Sequence, residues 1–155
     1  MTSYAAVARA LFGIAASLLV SRAAFAQTIA VSGSPASLHV TTAVAGSEPA
    51  PLSNAATTYT VVTPASGNHT YKITAQLNAA MPTGTTLTAN FVAPAAGGTS
   101  AGAVSLDVTA RDMVTSIPKH ANSTQGITYQ FVPTAAAGVI PVSTRTVTLT
   151  VLQFP

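Results

Sequence analysis

The chain has no cysteine, no tryptophan, few aromatic residues and only 6% charged residues. Each scarcity excludes a class of function. Without cysteine there is no disulfide framework and no thiolate nucleophile or ligand, so a core must hold the fold together. The only carboxylates are Glu48, Asp107 and Asp112. A glycosidase-type carboxylate pair would therefore need groups far apart in the chain to converge. The cations beyond the first 26 residues are Lys72, Arg111, Lys119 and Arg145, scattered singly and giving that part a net charge of +1. A nucleic-acid partner calls for a clustered basic stripe, and none is expected here.

What is present begins with a leader. Arg9, the apolar stretch 10–20 and Ala24-Phe25-Ala26 read as the three parts of a signal peptide cleaved after residue 26. The apolar stretch is shorter than the roughly 18 residues a spanning helix needs, and no later segment is long enough, so no membrane span is expected after cleavage. Residues 27–155 suit one domain, exported to the periplasm, the cell surface or the medium of a bacterium.

The dominant pattern after the leader is alternation. In Thr146-Val147-Thr148-Leu149-Thr150-Val151 apolar and hydroxyl side chains alternate with a period of two, which only a half-buried strand requires. Val147, Leu149 and Val151 are the expected inward residues of this terminal core strand. The same alternation predicts strands over 28–31, 38–44, 57–63, 71–77, 87–91, 104–110 and 127–131, with Arg111 to Ile117 either continuing its strand or bending across to a second sheet. Turns are predicted at Gly33-Ser34-Pro35, 45–51, 64–68, Met81-Pro82-Thr83-Gly84, 94–102, 118–125 and 133–141. About seven to nine short strands predict an all-β, immunoglobulin-like antiparallel sandwich with almost no helix.

No motif assembles chemistry on this frame. His39, His69 and His120 have no second ligand type at metal spacing, and their predicted places are one outer strand face and two turns. No Gly-x-Ser-x-Gly elbow accompanies the many hydroxyls, which suit the outer face of a sheet. The expectation is a protein that is not an enzyme and uses no cofactor or metal. Arg111-Asp112 and Lys119-His120 read as solvated charge at strand ends. Asn68-His69-Thr70 and Asn122-Ser123-Thr124 match the glycosylation pattern, which matters only in a glycosylating host.

The signal peptide, the short β piece around Ile29 and Val31, the small-residue sandwich and the terminal strand together resemble secreted bacterial fimbrial subunits of the spore-coat-U-like and archaic chaperone–usher type. That resemblance implies a sandwich lacking a strand, completed by the N-terminal extension of the next subunit, here residues 27–36, with Ile29 and Val31 as its apolar knobs. Implied partners are copies of itself, a periplasmic chaperone and an usher. Two features depart from it: the cysteine pair common in such pilins is missing, and the extension offers only two knobs. Alternative readings are a monomeric extracellular module that binds carbohydrate or another surface ligand through loops 94–102 and 118–125, and a small outer-membrane barrel. For the barrel, Tyr59, Tyr71, Phe91, Tyr129, Phe131 and Phe154 are too few for two aromatic girdles, and Pro155 departs from the usual ending.

Overall fold

Alternating segments become strands only where a neighbouring strand satisfies their amides and a facing sheet buries their apolar half. A computed structural model describes residues 26–42, 44 and 46–154, so the leader lies outside the described residues except for Ala26. Nine strands follow: β1 (Thr28–Ser32), β2 (Leu52–Val62), β3 (Thr70–Leu77), β4 (Thr85–Phe91), β5 (Thr99–Ser100), β6 (Ala103–Ser105), β7 (Arg111–Ile117), β8 (Asn122–Pro133) and β9 (Val147–Phe154). A single 3-10 turn, Ala135–Ala137, is the only helical element among the described residues.

The strands sort into two antiparallel sheets, ordered β1-β2-β8-β4-β6 and β5-β7-β3-β9. Tyr59, Val61, Ala89, Phe91 and Ile127 of the first face Tyr71, Ile73, Leu77, Met113, Val114 and Ile117 of the second, and all are buried. This is the all-β sandwich that alternation predicts. Tyr59 and Phe91 pack with ring centroids 5.4 Å apart and planes tilted by 40°. Their size fills the middle of a core otherwise made of small and branched side chains. At the end of β2, Thr63 donates its hydroxyl to the Pro118 carbonyl at 2.9 Å and accepts the Ala121 amide at 2.9 Å. These bonds clamp the β7–β8 turn against the first sheet.

Several predicted boundaries are corrected. Residues 38–42 and 44 form no strand, and Leu38 is only half-buried within the connection 33–51. Among the described residues β1 covers only Thr58–Val62 of its edge of β2, and the connection adds no pairs over Leu52–Thr57. The strand expected over 104–110 stops at Ser105, because the Asp107 carboxylate accepts the Thr109 amide at 2.7 Å and turns the chain. Arg111 to Ile117 then crosses to the second sheet, the bend left open by the sequence. The predicted turn 118–125 is shorter than expected, since Asn122 already lies in β8, and the loop 94–102 contains the two-residue β5. Strand β2 starts at Leu52, five residues before its predicted start at residue 57, with a bulge between Asn54 and Thr57.

Candidate functional site

Two sheets leave four edge strands, β1, β6, β5 and β9. An edge strand carries unpaired amides and carbonyls that a further strand can meet. Of the four, β1 is the one that an irregular stretch separates from the strand it pairs with. It pairs on one side only, with β2, in the register Thr28↔Val62, Ile29↔Val61, Ala30↔Thr60, Val31↔Tyr59 and Ser32↔Thr58.

Ile29 and Val31 share the inward parity of their buried partners Val61 and Tyr59. Ile29 packs against the core, whereas Val31 remains 52% exposed. The expected pair of knobs is therefore one knob. Beyond Ser32 the chain turns at Gly33, whose φ of +76° and whose close approach to the Ala56 carbonyl oxygen admit no side chain. The described residues of 33–51 then run without regular structure to the start of β2.

The terminal strand β9 is a second edge, paired with β3 from Thr70↔Phe154 to Leu77↔Val147. Of its three predicted inward residues, Val151 is buried at 8% exposure, while Val147 and Leu149 are partly buried against the core. Thr148 and Thr150 are exposed on the outer face, as the alternation requires. Its last turn is held by Lys72, whose ammonium lies 5.3 Å from the centroid of the Phe154 ring and 2.9 Å from the Asp112 carboxylate.

The polar clusters singled out in the sequence lie apart. Asp112 pairs with Lys72, whereas Arg111 pairs with Asp107, and this exposed pair holds the Asp107 carboxyl below its usual range. His39 lies in the connection 33–51, and His69 and His120 lie in turns, all exposed. His39 is thus not on a strand face as predicted. Among the described residues no three histidine, cysteine, aspartate or glutamate side chains come together. Tyr59, Tyr71 and Tyr129 are buried. Burial pushes the Tyr59 phenol up to about 12, while its hydroxyl donates to the Val92 carbonyl at 2.5 Å.

Sequence reasoning found β1 and β9 but not the acceptor edge. Residues Thr58–Val62 read as one side of a strand, and nothing local says which of its two edges is held by only a five-residue partner. No protein-family profile, curated protein or solved structure matches the chain.

Proposed function

We propose that this protein is a non-enzymatic structural or adhesive surface subunit that joins copies by strand exchange, β1 of one copy pairing with β2 of the next. The observation that carries this reading is the poor anchorage of β1. Five residues pair on one side, one of them packs against the core, and an irregular connection lets the strand leave without disturbing β2. The same pairs form in the exchanged state, so exchange costs little beyond the association itself and concentration decides it. An outer surface of threonine, serine and asparagine around an apolar interior supports a water-facing sandwich over a membrane barrel.

A lock tests this directly. Ala30→Cys with Thr60→Cys places a thiol pair across the β1–β2 ladder of a chain that has no other cysteine. Oxidised under dilute conditions, the double variant stays monomeric at concentrations where the unmodified chain forms ladders on gels and fibres by electron microscopy. Reduction restores assembly. Equal assembly by the oxidised and reduced forms would exclude β1 as the exchanged strand, and a chain that is monomeric at every concentration would exclude polymerisation.

A further inference from the structure

Beside the strand edge, and independent of it, the sandwich contains a cleft of about 990 Å³. Its floor is the end of the core where the sheets are not closed on each other: Leu87 of β4, Tyr129 and Phe131 of β8, and Val147 of β9. Its roof is made by the connections 33–51 and 134–146, which contribute Leu38, Val40, Ile140 and Val142. The roof is tied together and to the sheets. Glu48 accepts the Ala135 amide at 2.6 Å, and the Thr134 amide and hydroxyl both donate to the Gly84 carbonyl at 2.9 Å. Asn78 accepts the Thr146 amide at 2.9 Å.

Charge on the wall has one sign. Among the described residues Arg145 is the only formally charged one lining the cleft, and the carboxylate of Glu48, between the lining residues Ser47 and Pro49, is engaged by the Ala135 amide. Its guanidinium is positioned: Nε donates to the Ala80 carbonyl at 2.8 Å and Nη1 to the Thr144 carbonyl at 3.0 Å. Neither bond uses Nη2, which keeps its donors for an anion at the half-exposed rim. Tyr129 adds a phenol to the wall that burial keeps protonated and able to donate.

The floor also decides against a polypeptide occupant. Leu87, Tyr129 and Phe131 belong to strands with a neighbour on each side, β4 between β8 and β6, and β8 between β2 and β4. Their backbone groups are committed to the ladders, and an inserted peptide would bury amides without partners there. A hydrocarbon chain brings no such groups. A volume near the upper end of small-molecule pockets, roughly 300–1,000 Å³, suits one chain of this kind.

We infer that the cleft between the two sheets and the two roofing connections is a binding site for a single-chain anionic amphiphile, its hydrocarbon lying over Leu87, Phe131 and Ile140 and its carboxylate on Arg145.

The test is a calorimetric titration of the full chain with octanoate, decanoate and dodecanoate below their micelle concentrations, paired with dodecan-1-ol. Affinity should rise roughly fourfold per buried methylene. Dodecanoate should bind about tenfold or more tighter than the alcohol, since a hydrogen bond to a charged group is at stake. Arg145→Gln should erase the acid-over-alcohol preference while leaving alcohol affinity unchanged, a pattern that loss of a purely structural contact would not produce. Ile140→Trp, on the roof and outside the sheets, should fill the cleft and abolish binding of both, and Leu87→Trp does the same from the floor. Absence of dodecanoate binding, an unchanged preference in Arg145→Gln, or full binding by a folded tryptophan variant would each overturn the site. The oxidised Ala30→Cys/Thr60→Cys chain should bind as the native one does, which separates this result from the fate of strand exchange.

Discussion

Tyr59 shows how a single side chain can make this fold sensitive to alkali. Its ring is fully buried against Phe91, its hydroxyl is satisfied by Val92, and its pKa is pushed from 10.0 up to about 12. Above pH 10 the unfolded chain loses this proton and the folded chain keeps it, so stability is complete below pH 10 and falls as pH rises towards 12. The loss is on the order of 2 kcal/mol, and chemical denaturation measured between those pH values should show a steeper decline for the native protein than for Tyr59→Phe. Thr57 presents the opposite case. It is 2% exposed beside the β2 bulge and its Oγ1 has no hydrogen-bond partner. Replacing that hydroxyl by a methyl of the same shape removes an unpaired buried group and favours the strand, so Thr57→Val should stabilise by about 1–2 kcal/mol, visible as a melting temperature several degrees higher. A lower melting temperature would mean that the hydroxyl is satisfied by bound water. Neither residue differs in the sequence from the many threonines and the other tyrosines around it. What distinguishes them is the register opposite, which no local pattern contains.

Among the elements, β3 was legible and so was β9 as far as Val151, because each alternates there and each has the other as partner, whereas Leu152-Gln153-Phe154 extend β9 without alternation. Strand β9 provides the measurable contrast. Val151 is buried, Leu149 is partly buried because β9 is an edge, and Thr148 points to solvent. Leu149→Ala should therefore cost about 1–2 kcal/mol, below the roughly 2–5 kcal/mol of a fully enclosed leucine, while Thr148→Ala stays within about 0.5 kcal/mol in denaturant unfolding. Equal costs would mean that β9 is not docked by one face. The segment 38–44 carried a similar pattern and is not a strand in its described residues, since alternation is local and pairing is not: after Ser32 the chain turns at Gly33 and adds no further pairs to the edge of β2. Likewise Val104 to Ala110 alternates, yet the Asp107 side chain competes for the backbone and turns it. Arg145 gave no local signal at all. Its position at the rim of the cleft depends on Ala80, a distant residue in a turn.

At the scale of the whole molecule, charge is distributed unevenly between the two sheets. Every charged residue within a strand, Lys72, Arg111 and Asp112, lies in β3 or β7 of the four-stranded sheet. The five strands of the other sheet contain no lysine, arginine, histidine, aspartate or glutamate, and this includes its edges β1 and β6. Soluble proteins commonly guard sheet edges with lysine, proline or a bulge, and the β1 edge has none of these within its five residues. Association through such an edge rests on backbone hydrogen bonds and a little apolar contact, so charge screening should hardly alter it. Sedimentation velocity between about 0.01 and 1 M salt, over which the Debye length falls from about 30 to about 3 Å, should show nearly constant self-association. Ala30→Lys tests the edge itself. Residue 30 is exposed on the outer face of β1 opposite Thr60, so a lysine there leaves the core untouched, the melting temperature nearly unchanged and the exchanged β1–β2 pairing intact, whereas two copies that met edge to edge at β1 would bring like charges together. The variant should therefore associate as the native chain does at low salt. Association lost at low salt and regained as salt rises would mean that copies meet at the β1 edge without exchanging the strand.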